Sequence, residues 1–132
     1  MRWLTLLVPL MLTLPVHAVS LQESQLEETL KTVAERSSKG TPRPLNDDIV
    51  DQGYAAKGNE LVNFLSVAPE YAESMQEQPL IVRTQLQDSV CSDQQYRRLL
   101  DMGATLTYHF VLTGTTQPVL TQRFVAAHCQ AL

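Results

Sequence analysis

The chain has 132 residues, with 10 Lys and Arg against 14 Asp and Glu, a formal net charge of -4 and an aromatic share of 6%. That length suits one compact core and is too short for two ordinary domains. The acidic balance, with Arg97-Arg98 as the one adjacent basic pair and Asp93 and Asp101 beside it, disfavours a nucleic-acid partner, which needs clustered Lys and Arg.

Residues 1–18 read as a cleavable secretory signal peptide: Arg2, then an apolar run from Trp3 to Leu14, then Val16-His17-Ala18. The run is about twelve residues, short of the roughly twenty that span a hydrocarbon core, so it reads as a removable segment and leaves no membrane anchor. Cleavage is expected between Ala18 and Val19, and no cysteine follows the run to carry a lipid. Removal leaves 114 residues, 19–132, read as a single α+β domain with nine basic and fourteen acidic residues and a net charge of -5.

Ser20-Leu21-Gln22-Glu23 has the form of a capping box and predicts a helix start. Leu26, Leu30 and Val33 supply its apolar side, Glu27 with Lys31 and Glu35 with Lys39 its i,i+4 pairs, and Gly40 its end. Thr41-Pro42-Arg43-Pro44 follows as a stiff extended connector. From Ile49 to Val67 the β-branched and aromatic residues flank Lys57-Gly58-Asn59-Glu60, which predicts a hairpin turning at Gly58-Asn59. Its register sets Lys57 opposite Glu60, Tyr54 opposite Asn63 and Val50 opposite Val67, with Gly53 as the candidate bulge.

Pro69 opens a short helix to about Glu77, carrying Tyr71 and Met75 as an i,i+4 apolar pair. Pro79 ends it and starts another, whose stripe of Val82, Leu86 and Val90 leads to Cys91. Ser92-Asp93-Gln94-Gln95 reads as a second capping box, before a helix turning Tyr96, Leu99, Leu100 and Met102 inward and stopping at Gly103. Leu106, Tyr108, Phe110 and Leu112 alternate with polar residues as a half-buried strand, Gly114-Thr115-Thr116-Gln117 turns, and a returning strand is expected over Val119 to Cys129. The predicted fold is α+β: an antiparallel sheet of about four strands from two hairpins, with the N-terminal helix and two or three short helices on one face.

Cys91 and Cys129 are an even pair in an exported chain, which implies one intramolecular disulfide stapling helix to sheet. Two cysteines with His109 and His128 match no zinc spacing, and there is no C-x-x-C for thiol exchange. Asn46-Asp47-Asp48 with Asp51 does not fit a calcium loop and reads as a turn. Gly40-Thr41-Pro42 and Lys57-Gly58-Asn59 lack the succession of backbone donors that cradles phosphate. Tyr71 and Met75 read as core ahead of an exposed groove. No catalytic, cofactor-binding or metal-binding residue is assigned, so the protein is expected to be non-enzymatic and to need no cofactor. A small hydrolase using Ser89 or Ser92 with His109 or His128 is the enzyme alternative.

Several blocks resemble the putative quorum-sensing-regulated virulence factor family of small exported proteins from Gram-negative bacteria. They are Gly40 to Arg43, Asn46 to Tyr54, Gly58 to Asn63, Val82 to Leu86, Asp88 to Ser92, Gly103 to Tyr108, Gln117-Pro118-Val119, Arg123-Phe124 and Cys129. Both family cysteines find a counterpart, and the family brings no catalytic residue to carry over. The resemblance implies a periplasmic or secreted, non-enzymatic protein under cell-density control, working in virulence or host interaction through a protein partner that the sequence does not identify, and its oligomeric state is not legible. The alternative is a periplasmic chaperone or pilotin-like adaptor of a secretion system, against which the missing lipid-bearing cysteine counts.

Overall fold

The computed structural model describes residues 16–130, with side chains described from Leu21 onward. Most of the expected leader, residues 1–15, therefore lies outside the described residues. The chain runs α1 (Val16–Ser37), β1 (Arg43–Pro44), β2 (Ile49–Lys57), β3 (Glu60–Val67), α2 (Pro69–Glu77), α3 (Pro79–Ser92), α4 (Gln94–Asp101), β4 (Thr105–Leu112), β5 (Pro118–Phe124) and α5 (Ala127–Gln130). Among the described residues no helix is long and apolar enough to cross a membrane.

The α+β class and the N-terminal helix stand, while the sheet differs from expectation in count and pairing. It has five strands in the order β1-β2-β3-β4-β5. The hairpins do not join antiparallel: β3 and β4 run parallel, with Glu60 opposite Thr105 and Val67 opposite Leu112. The cause is the chain between them, since α2, α3 and α4 carry the backbone to the starting end of the sheet, the long crossover that parallel strands require. The fifth strand is the supposed connector, because the extended backbone that proline imposes lets Arg43 pair with Asp51 and Pro44 with Val50.

Within the first hairpin, Lys57 faces Glu60 and Tyr54 faces Asn63 as predicted. Val50, however, faces Ser66, and Ile49 takes the place opposite Val67, because the register shifts between Asp51 and Gly53. This bulge is built by Asp51, whose side chain is 4% exposed. One carboxylate oxygen accepts the Gly53 N–H at 2.9 Å and the Asn63 amide at 2.9 Å, and the other meets Arg43 Nη2 at 3.4 Å. Gly53 sits at φ +112, where a side chain is strained, and an added Cβ would lie 3.1 Å from Thr41 Oγ1. Next to the bulge, Ser38 Oγ accepts the Tyr54 N–H at 2.8 Å and donates to the Tyr54 carbonyl at 3.2 Å, pinning the end of α1 to β2.

The helices lie on one sheet face over two apolar clusters. The larger joins Leu26, Leu30, Val33 and Ala34 of α1 to Leu61, Val90, Leu99, Leu100, Leu106 and Phe124. The smaller holds Leu65, Val67, Ala72, Met75 and Phe110. Phe124 is fully buried, with Tyr108 and His128 edge-on at 6.2 and 5.9 Å and the Arg83 guanidinium 4.6 Å above its ring. Arg83 also donates to Gln122 Oε1 and to the Arg123 carbonyl, clamping α3 onto β5.

Local corrections concern element ends. α1 begins at Val16, so Ser20 lies inside the helix and not at its cap. Lys31 pairs with Glu28 at 3.8 Å instead of Glu27, and among the described residues Glu35 and Lys39 form no ion pair. The cap of α4 is Asp93, not Ser92: α3 runs through Ser92, and the Asp93 carboxylate accepts the Tyr96 N–H at 3.0 Å. Leu99 and Leu100 point inward as expected, but Met102 follows the last helical residue and is 48% exposed. β5 stops at Phe124, and Cys129 lies in α5. The Cys91–Cys129 bridge, with Cα atoms 5.3 Å apart, therefore joins helix α3 to helix α5 and not helix to sheet.

Two stability outcomes follow from this packing. Asp51→Ala should cost about 3–5 kcal/mol in a denaturant titration, because three donors lose a buried acceptor, while Arg43→Ala, at a 52% exposed side chain, should cost about 1 kcal/mol or less. Reducing the bridge, which spans a separation of 38 residues, should cost about 4 kcal/mol on the chain-entropy account and lower the melting temperature; an unchanged melt after confirmed reduction would contradict this.

Candidate functional site

The chemical residues singled out in the sequence fall into separate places. His109 is on β4, with Nδ1 2.9 Å from Thr121 Oγ1 and its ring edge-on to Phe64 at 5.8 Å. Pairing of Leu61 with Leu106 and of Phe64 with His109 puts this group on the sheet face turned away from the helices. His128 is in α5, where Nδ1 accepts the Val125 N–H at 2.9 Å. Ser89 and Ser92 are exposed on α3, and among the described residues neither hydroxyl bonds to a histidine ring. The structure thus does not assemble a serine–histidine pair.

Asn46 Oδ1 accepts the N–H groups of Asp48 and Ile49, both at 2.8 Å, which is the turn expected of that segment. Asp51 is turned inward at the bulge, away from that turn. No group of three or more His, Cys, Asp and Glu gathers in metal-binding fashion among the described residues. Met75 is 3% exposed and Tyr71 packs beside it in the smaller cluster, so this pair is core.

Three tyrosines, Tyr54, Tyr96 and Tyr108, line a void of about 10 Å³ with Asn63, space for a water molecule and nothing larger. The Tyr54 and Tyr96 hydroxyls are 3.3 Å apart. Burial, then the Tyr96 hydrogen bond, holds the Tyr54 phenol far above its ordinary value. Burial also raises Tyr108, with smaller contributions from Tyr96 and Asp93. This is a packed polar seam of the fold.

A cleft of ligand size lies elsewhere. About 500 Å³ opens between α1, the β2–β3 turn and the α4–β4 turn, lined by Gln22, Glu23, Leu26 and Glu27 on one side and by Gly58, Asn59, Met102 and Gly103 on the other. The two turns are tied together: Asn59 Nδ2 donates to the Gly103 carbonyl at 3.3 Å, and the Thr105 N–H donates to the Asn59 carbonyl at 2.9 Å. Leu26, 5% exposed, closes the back, and Met102 stands open to solvent. Sequence reasoning missed this place because it assigned Glu27 to a pair with Lys31 and Met102 to the core. The available signal was Gly103, which ends the helix immediately after Met102 and leaves that side chain outside the last turn.

Residues 19–130 match the family described as putative quorum-sensing-regulated virulence factor. Among solved structures, a putative secreted protein from Pseudomonas aeruginosa is similar at 52% identity, over 83% of this chain and 96% of that one, with a TM-score of 0.80. The pilotin EpsS of the Vibrio vulnificus type 2 secretion system shares the fold at 21% identity, 84% and 97% coverage and a TM-score of 0.71. The type II secretion system pilotin AspS from Vibrio cholerae shares it at 17% identity, 85% and 99% coverage and a TM-score of 0.64. No curated protein matches the chain.

The tyrosine seam makes stability pH-dependent in a definite direction. Both folded-state phenols lie above the unfolded value near 10, so the fold keeps protons that the unfolded chain releases. Their stabilising effect is complete below about pH 10 and declines as pH rises beyond it. Tyrosinate absorbance of Tyr54 and Tyr108 should appear together with alkaline unfolding, and Tyr54→Phe should flatten the alkaline fall in stability; free ionisation of all four tyrosines in the intact fold would contradict this.

Proposed function

We propose that this chain, which belongs to the putative quorum-sensing-regulated virulence factor family, is an exported, non-catalytic protein that works by binding a protein partner outside the cytoplasm. The supporting observation is the start of the family match at Val19, the residue after the expected cleavage site at Ala18. The matched stretch thus begins where the chain expected to remain after export begins. A buried bridge between Cys91 and Cys129 suits an oxidising compartment, and the relative at 52% identity is described as a secreted protein. The scattered placement of Ser89, Ser92, His109 and His128 favours binding over catalysis. On this reading the protein acts under cell-density control in virulence or host interaction.

A second reading, an adaptor of a secretion system, is favoured by the two pilotins whose fold this chain shares across nearly their whole length. Both cysteines are engaged in the bridge, so an adaptor of this kind would not be held to a membrane through a lipidated thiol.

N-terminal sequencing and cell fractionation test the proposal. A chain beginning at Val19 and recovered from periplasm or medium is the expected result. An unprocessed chain retained in the cytoplasmic or membrane fraction would contradict it. Affinity capture from the matching compartment separates the readings, since recovery of secretion-system components would move the assignment to the adaptor.

A further inference from the structure

We propose that the cleft between α1 and the β2–β3 and α4–β4 turns docks a basic, apolar-anchored peptide segment of the protein partner. The assignment rests on the partner-binding reading and adds to it a place and a chemistry. Three features carry it together. The first is room: about 500 Å³ between elements whose two turns are fixed to each other through Asn59, so the opening is preformed. The second is an apolar surface that the fold leaves unused. Met102 is 48% exposed at the cleft, and Leu21, one residue before the lining Gln22, is 63% exposed. A flexible, polarisable thioether adapts to varied apolar side chains.

The third feature is charge. Glu23 and Glu27 stand one turn apart on the side of α1 that lines the cleft, and no Lys or Arg lines it. Among the described residues neither carboxylate takes part in an ion pair, because Lys31 reaches Glu28 instead. Like charges at this spacing oppose each other along a helix. A cation placed between them relieves that repulsion and meets two acceptors at once. A segment with Lys or Arg next to a large apolar residue satisfies both halves of the cleft, the apolar side chain against Met102 and Leu26 and the cation against Glu23 and Glu27. An acidic or phosphorylated segment meets repulsion at the same wall.

The test uses isotopically labelled protein produced with its own leader and an acetylated lysine–leucine dodecapeptide as the probe, followed by amide chemical shifts. Saturable shifts should centre on residues 22–27, 58–59 and 102–103. The double variant Glu23→Gln, Glu27→Gln should weaken binding by about tenfold or more, on the scale of a charge-assisted contact, and Met102→Ser should weaken it as well. Glu73→Gln with Glu77→Gln removes the same two charges from the exposed face of α2 and should leave affinity within about twofold, since distant rim charges contribute little. A glutamate–leucine peptide should not bind.

Equal weakening by both double variants would reduce the effect to net charge and overturn the site. Shifts centred elsewhere, or the same shifts appearing on concentration of the protein alone, would also overturn it, the latter by making a second copy the occupant. In each case, partner capture that survives the Glu23→Gln, Glu27→Gln change leaves the partner-binding reading standing, whereas an unexported chain fails that reading whatever the cleft binds.

Discussion

A carboxylate almost wholly removed from water organises the first half of this molecule. Asp51 gathers the Arg43 guanidinium from β1, the Gly53 N–H from its own strand and the Asn63 amide from β3. A buried charge is tolerated only when it is this fully partnered, and the partnering dictates geometry. It draws the backbone of β2 into a bulge, and the bulge moves the register by one residue between Asp51 and Gly53. Directly after the bulge, the backbone groups of Tyr54 turn outward to the Ser38 hydroxyl. The end of α1 is thereby fixed on β2, and the direction of α1 brings Glu23 and Glu27 against the Gly58–Asn59 turn. The cleft is a consequence of the carboxylate several elements away.

The second half is held by a different device. The crossover helices reach the far edge of the sheet, where Arg83 clamps α3 to β5 and the Cys91–Cys129 bridge ties α3 to α5. Phe124 is enclosed between Arg83, Tyr108 and His128. The open edge of β5 is covered at the same time, since Gln76 donates to the Val119 carbonyl and Arg83 to that of Arg123. Side chains that occupy edge carbonyls discourage strand addition.

Features set by local chemistry were legible in the sequence. The Gly58–Asn59 turn, the start of α2 at Pro69, the start of α3 at Pro79 and the inward stripe of Leu99 and Leu100 each depend on residues a few positions apart. The pairing of cysteines needed only their number. What the sequence hid was non-local. Parallel pairing of β3 with β4 is decided by where three helices deliver the chain, and no residue of either strand encodes it. The shift of Val50 from Val67 to Ser66 depends on Asp51 finding partners twelve and eight residues away. Cys129 entered a short helix because His128 caps the Val125 N–H, a contact that an alternating pattern does not reveal. The cleft was invisible for the same reason, since its walls come from segments about 35 and 80 residues apart in the chain and meet only through the sheet.

Amide hydrogen exchange in Asp51→Asn, which keeps the side-chain shape and removes the charge, tests the link from carboxylate to cleft most directly. The account predicts lost protection at Gly53, Tyr54, Val33 and Ala34, with Val90 and Phe124 in the bridged half retaining theirs. Unchanged protection along α1, or a uniform loss across both halves, would contradict it.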